Sequence, residues 1–276
     1  MIGGALAKVF KKVLDRIGMR AGQHPYSVVG YPYPIMVRKR CIEGEEVLSD
    51  DKGPTTFDQP EYTAINRARL AHLESLKLPI NGRTVLDVGC GVGHLAQFFV
   101  DRGCKVVCID GREQNVFALR MRYPGLTGHI ANVETEPLSQ YGIFDIVFCY
   151  GLLYHLENPS MALRNMASVC REFLLLETMV CDHKLPILAV TDESAAFSQA
   201  LRGLGCCPSP SFVVMVLSRL GFRFIYAPKR YPEYKDFRIK WKNNLDWQRH
   251  GHPLRCVFIA SRAELQNSHL VSLYEA

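Results

Sequence analysis

Between residues 61 and 78 (EYTAINRARLAHLESLKL) apolar positions recur at helical spacing, with Ile65, Ala68, Leu70, Ala71 and Leu73 in phase and a stop before Pro79. That pattern predicts a helix. The turn PINGR then leads into an apolar run at 84–88, and from there runs of strand length alternate with amphipathic stretches. These are a helix over about 92–102, the strand KVVCID, a helix over about 113–122, a short strand near 127–131, the strand FDIVFCYG, a helix over about 159–171 and the strand FLLLET. Strands separated by helices of about ten residues imply right-handed βαβ units and a parallel sheet covered on both faces, and the wholly apolar strands agree with that burial. PSFVVMVLSRLGFRFIY adds a further helix and strand, and LRCVFIASR a last strand.

Two stretches break this rhythm. Residues 178–208 and 227–253 read as insertions over the carboxyl edge of the sheet, where ligands bind in such folds. At the start, MIGGALAKVFKKVLDRIGMR places Ile2, Leu6, Val9, Phe10, Val13, Leu14 and Ile17 on one helical face and Lys8, Lys11, Lys12 and Arg16 on the other. A basic amphipathic helix of this kind can pack as a cap or lie on an anionic membrane. Asp15 and the short apolar residues favour the cap, and the lysines interrupt what would be the apolar core of a secretory signal. Residues 22–60 are dense in Pro, Gly, Tyr and acidic turns and read as loop. The expected organisation is a cap over 1–60 and one α/β domain over 61–276.

Composition narrows the class. With 276 residues, 48% hydrophobic and 22% charged, the chain can bury one full α/β core plus extra elements. A net charge of +6 helps an anionic partner approach but is no nucleic-acid footprint by itself. The ten cysteines include no CxxC pair and no His/Cys spacing that would wrap zinc, so no metal is expected and the thiols read as buried and reduced, in a cytoplasmic protein. No apolar run reaches about 18 residues, so no membrane span is expected.

The chemistry begins at VLDVGCGVGHL, residues 85–95, a buried strand running into a glycine turn. A dinucleotide site wants Gly-x-Gly-x-x-Gly. Here the third glycine's position is His94, and Gly93 comes one place early, which suits an adenosine ligand lacking a pyrophosphate. Asp110 ends the second strand about twenty residues on, where a carboxylate can accept both ribose hydroxyls; an Asp there can also cap the next helix.

Taken together, VLDVGCGVGHL, VVCIDGR, HIANVE and FDIVFCYGLLYHLENP resemble the class I S-adenosylmethionine (SAM)-dependent methyltransferases, in order and interval, over roughly residues 60–178. The resemblance implies a Rossmann-like α/β fold: a mostly parallel seven-stranded sheet with helices on both faces, an N-terminal cap and lid insertions. It implies SAM as methyl donor. In that family the glycine turn (Gly89, Cys90, Gly91, Gly93) faces the methionine tail, and the first acid, Asp87, sits near its amino group. Asp110, followed by Gly111 and Arg112, holds the ribose, Asn132, Val133 and Glu134 meet the adenine, and Tyr150 and Gly151 back the donor. Backbone amides at a helix start suit a carboxylate tail, and the turn holds no lysine to repel a sulfonium. Cys90 reads as a small packing residue, because no His or Asp in the turn is spaced to activate it.

A looser likeness, carried by GLLYHLENP, LLLETMV and HPLRCVFIASR, is to a branch that includes the bacterial enzyme modifying the wobble uridine of tRNA and many sugar and natural-product methyltransferases. It implies that Tyr154 and Arg255 lie at the donor and acceptor site. That branch's tryptophan before the first motif has no counterpart here, which favours ordinary SAM over a carboxylated donor.

Methyl transfer is an in-line displacement, so alignment carries much of the catalysis and a base is needed only if the acceptor must lose a proton. His155, just past the fourth strand, is best placed for a hydroxyl acceptor, though a backbone-bonded turn histidine is the plain alternative. Tyr154 can line the donor pocket or simply pack. Glu177 and His183 follow the fifth strand as second-line acids and bases, or as solvated loop residues. The motif of amino-methylating enzymes is absent, the sequence reading YGLL instead. Between 226 and 255, Tyr226, Tyr231, Tyr234, Phe237, Trp241 and Trp247 interleave with Lys229, Arg230, Lys235, Arg238, Lys240 and Lys242. Such a segment, with Trp241 at its centre, suits a sugar or sugar-nucleotide pocket, an RNA surface, or ordinary packing. The leading expectation is methyl transfer to a hydroxyl of a saccharide or other small metabolite; tRNA modification and a catalytically inactive SAM-fold scaffold are the alternatives.

Overall fold

The computed structural model describes residues 53–193, 198–242, 246–249 and 254–276, with side chains for all of these except 241–249. The chain divides into two units, Met1–Gly44 and Glu45–Ala276, and every described residue belongs to the second. The amphipathic helix expected over 1–20, most of the loop-rich stretch before 60, and the side chains of Trp241 and Trp247 lie outside the described residues.

A short 3-10 segment, Gly53–Asp58, precedes α1 (Pro60–Ser75), which opens on a proline at a position where the missing N–H costs nothing. Then follow β1 (Thr84–Val88), α2 (Gln97–Val100), β2 (Lys105–Asp110), α3 (Glu113–Arg122), β3 (Thr127–Ile130) and β4 (Phe144–Tyr150). A 3-10 turn over Leu153–His155 leads to α4 (Pro159–Ser168) and β5 (Cys170–Met179). The remaining elements are β6 (Leu188–Asp192), β7 (Leu204–Pro208), α5 (Pro210–Arg219), β8 (Phe224–Pro228), β9 (Ile239–Lys242), β10 (Asp246–Arg249), β11 (Arg255–Ser261) and β12 (Leu270–Glu275). Side-chain oxygens of Asn158 and Ser209 cap α4 and α5 by accepting from the amides of Met161 and Phe212.

One sheet of eight strands carries the fold, in the order β12-β8-β11-β5-β4-β1-β2-β3. The pairings among β1 to β5 are parallel, whereas β11 lies antiparallel between β5 and β8, and β12 antiparallel on β8. The sheet is thus one strand larger than the seven expected. The extra strand, LVSLYE, is a short edge strand with polar residues interleaved and a register shift between Ser272 and Tyr274, so its apolar signal is weak. The helix expected over 92–102 is also shorter, only Gln97–Val100. Gly91 and Gly93 stand at φ +53° and +89°, which keeps the chain out of right-handed helix until past the turn.

Successive strand residues feed two cores, as the period of two requires. Val147 and Cys149 of β4, Leu174 and Leu176 of β5 and Phe258 of β11 join α4 and α5 on one face. Ile146 and Phe148, Phe173 and Leu175, and Ile259 join Ile65 and Leu73 of α1 on the other. Each insertion forms an antiparallel hairpin, β6 with β7 and β9 with β10. The first leans on the turn after β4: the Cys206 thiol donates to the Leu153 carbonyl at 3.3 Å. Among the described residues no helix is long and apolar enough to cross a membrane.

Candidate active site

A cavity opens at the carboxyl ends of β1, β2 and β4. Its floor is Gly89, Cys90 and Gly91, one wall holds Asp110, Gly111, Arg112, Asn115, Asn132 and Val133, and the other holds Tyr150, Gly151, Tyr154 and His155. Twelve positions that sequence reading assigned to donor or catalysis therefore share one lining.

Asp110 is held firmly. Its Oδ2 accepts from the Gly91 amide at 2.9 Å, and its Oδ1 from the Arg112 amide at 2.9 Å and the Asn115 side-chain amide at 3.0 Å. Burial raises its pKa, and these three donors offset that rise only in part. Asp110 does not cap α3: the cap position is Arg112, and no side chain caps that helix end. Asp87 stands behind the turn, 2% exposed, and does not reach the lining. Burial and the nearby Asp110 carboxylate push its pKa up to about 8, and its Oδ2 is buried without a hydrogen-bond partner among the described residues. A cationic amino group near these two acids would balance their charge, so the residues fit a SAM-type ligand.

Other assigned residues sit elsewhere. Gly93 is off the lining, against Leu119 and Tyr123. The Glu134 carboxylate accepts from the Asn158 amide at the start of α4, which leaves the Glu134 backbone rather than its side chain beside Asn132. The Cys90 thiol is buried and its pKa raised by that burial, consistent with packing rather than nucleophilic chemistry. All nine described cysteines are free thiols. His183 lies outside the cavity lining, its Nδ1 accepting from the Leu185 amide. Trp241 lies in β9, and its side chain is outside the described ones.

On the second wall, His155 Nδ1 lies 2.7 Å from Oε2 of Glu193, a residue of the first insertion, and that same oxygen accepts from the Ala200 amide. The Tyr154 ring stacks obliquely on His155, centroids 4.0 Å apart. Arg255 donates from Nη2 to the Tyr154 hydroxyl at 3.1 Å and from Nη1 to Glu177 at 3.0 Å. Glu177 is completely buried between Arg255 and Arg69, with which it also pairs. Burial pushes the Glu177 carboxyl up, but the two guanidiniums outweigh it and hold the pKa low. Glu177 is thus a fixed anion within an Arg69–Glu177–Arg255–Tyr154 chain rather than an acid or base exposed to the cavity.

Several lining residues were not legible in the sequence. Tyr62, Asn66 and Arg69 come from α1, and Ser198, Gln199 and Leu201 from the first insertion. Arg112 Nη2 donates to the Gln199 carbonyl at 2.9 Å and so fastens that segment beside the cavity. Phe57 of the 3-10 segment lies over Gly91. It is anchored by Asp58, which takes two hydrogen bonds of 2.7 Å from Arg122 and lies 3.2 Å from His94 Nε2. His94, noticed for filling a glycine's place, thereby gains a positive role.

A model of the family described as "Methyltransferase domain" matches residues 60–225. The tRNA U34 carboxymethyltransferase of Pseudoalteromonas translucida (strain TAC 125) is 32% identical over 56% of this chain and 48% of its own length. The ubiquinone biosynthesis O-methyltransferase of Albidiferax ferrireducens is 31% identical over 50% of this chain and 58% of its own. The chain thus spans about half the length of these curated relatives. Among solved structures, the N-terminal domain of EvdMO1 with SAH bound superposes with a TM-score of 0.52 at 21% identity, over 71% of this chain and 79% of that one.

Proposed function

The chain belongs to the methyltransferase-domain family, with the class I SAM-dependent fold, and from that premise we propose that it methylates a hydroxyl of a small molecule, a saccharide or related metabolite. The observation that carries this reading is the His155–Glu193 pair on the cavity lining. With Nδ1–H donated to the carboxylate, the imidazole presents Nε2 as its basic atom and gains support for the positive charge it takes up. A hydroxyl needs that base; an amine acceptor would need it less.

In this reading Gly89, Gly91 and the Asn132–Val133 backbone hold the donor, Asp110 orients its ribose, and Asp87 acts from behind the glycine turn through its charge rather than by contact. When bound, SAM supplies an electrophilic methyl on a sulfonium. His155 takes the acceptor proton at Nε2, Glu193 keeps the ring oriented, and Tyr154, fixed by Arg255, forms the wall beside the base. Phe57 and the 198–201 segment exclude water from the cleft.

A second reading, tRNA modification, is favoured by the relatives named tRNA U34 carboxymethyltransferase and by the Arg255–Tyr154 hydrogen bond at positions that branch uses. One experiment separates them. Protein supplied with methyl-labelled SAM is offered a pool of hydroxyl-bearing sugars and metabolites or total tRNA at about 0.15 M salt. Label in the small-molecule fraction supports the proposal, and label confined to RNA overturns it. No label in either, despite SAH binding, supports an inactive scaffold.

A further inference from the structure

Three cavity-lining residues, Asn115, Tyr150 and Arg69, each keep a buried side-chain polar atom without a hydrogen-bond partner among the described residues, and two of these atoms, on Tyr150 and Arg69, can donate. Tyr150, the last residue of β4, is 5% exposed, and its hydroxyl has no hydrogen-bond partner among the described residues. Arg69 is 6% exposed, and its Nε–H is in the same condition. Both residues line the cavity. Leaving such a group buried and unsatisfied is destabilising, whereas phenylalanine would fill the ring's place with no hydroxyl to satisfy. The two sit together: the Arg69 guanidinium packs over Gly151, the residue after Tyr150, 2.9 Å from where a Cβ would stand. Only a glycine permits that approach.

Both atoms can donate. Arg Nε–H can only donate, and burial, with the Glu177 carboxylate nearby, keeps the Tyr150 phenol protonated. An oxygen lone pair would satisfy both at once. The local charge is already matched, two guanidiniums (Arg69, Arg255) against two carboxylates (Glu177, and Asp236 at 3.7 Å from Arg255 Nε). An uncharged oxygen meets the need without adding an unbalanced buried anion.

We propose that the Tyr150 hydroxyl and Arg69 recognise a neutral, carbonyl-class oxygen of the methyl acceptor, beside the hydroxyl that His155 serves. This rests on the methyl-transfer reading and deepens it: the acceptor is a hydroxy-carbonyl compound rather than a simple polyol. Tyr150 then acts on specificity, and its ring can still back the donor.

The test uses the SAH-loaded full chain titrated with matched probes, para-hydroxyacetophenone against para-ethylphenol and hydroxyacetone against propylene glycol. The carbonyl member of each pair is expected to bind about five- to tenfold more tightly. In Tyr150→Phe that preference should fall below about twofold, while the melting temperature stays at or above that of the parent, since an unsatisfied hydroxyl has been removed. Equal binding within the pairs, binding of neither member, or a preference that survives in Tyr150→Phe overturns the proposal. So does a loss of SAH affinity in that variant, which would assign the hydroxyl to the donor. Because the titration reads binding alone, a preserved carbonyl preference without any methyl transfer would sink the reaction and leave the recognition site standing.

Discussion

His155 Nδ1 and Glu193 Oε2 lie 2.7 Å apart, although 38 residues separate them and the carboxylate arrives from an insertion rather than from the sheet. Base and orienting group are thus delivered by different parts of the chain. His155→Ala is expected to lower kcat by about 10²–10⁴-fold with SAH affinity nearly unchanged, and Glu193→Gln to give a smaller loss of the same kind. Isothermal titration beside steady-state kinetics separates the two quantities. An unchanged kcat in His155→Ala removes the base from the mechanism.

Asp110 is the position on which donor binding should depend most. Asp110→Ala is expected to weaken SAH by about ten- to a hundredfold, the worth of hydrogen bonds to a buried carboxylate. A thermal-shift titration reads it: SAH should raise the melting temperature of the parent and not of the variant, and NAD should raise neither.

Asp87 makes a pH prediction with a definite sign. The folded protein holds this proton up to about pH 8, whereas an unfolded chain releases it near the ordinary carboxyl value of 3.8. The folded state therefore binds the extra proton between those values, and stability falls as pH rises through that window. Asp87→Asn should flatten this slope and raise apo-protein stability near pH 8, while weakening SAH. Parallel slopes in parent and variant denaturation curves would show that Asp87 ionises normally.

Glu177→Gln tests the buried chain of charges. Removing the anion leaves Arg69 and Arg255 facing each other in a dry site, at a cost of about 3–5 kcal/mol. Urea midpoints should fall accordingly, with more loss than for Asp58→Ala. The Asp58 pairs are partly exposed and worth about 0.2–1 kcal/mol, so Asp58→Ala should chiefly loosen Phe57 and lower SAH affinity a few-fold.

Features set by local chain geometry were legible in advance. Gly89, Asp110, Asn132 and Tyr150 fall at strand ends, and a parallel sheet brings strand ends to one edge whatever the details. Arg69 was not legible, since it reads as one more polar position on a helix until α1 crosses the end of β4 and meets a residue 108 positions away. Glu193 was hidden for the same reason, its meaning depending on how a hairpin folds back. A carboxylate just after the strand-like LAVTD, opposite a histidine candidate, was the available signal. His183 shows the converse: proximity to a strand end in sequence did not bring it to the cavity.

Arg112 gives one residue two attachments, its amide to Asp110 and its guanidinium to the Gln199 carbonyl. If Asp110 holds the donor, whatever settles that acid also settles the segment beside the acceptor. Each ligand must then alter the affinity for the other by the same factor, so donor and acceptor should bind cooperatively, each tightening the other. Shortening Arg112 should uncouple the two affinities before it makes the reaction slow.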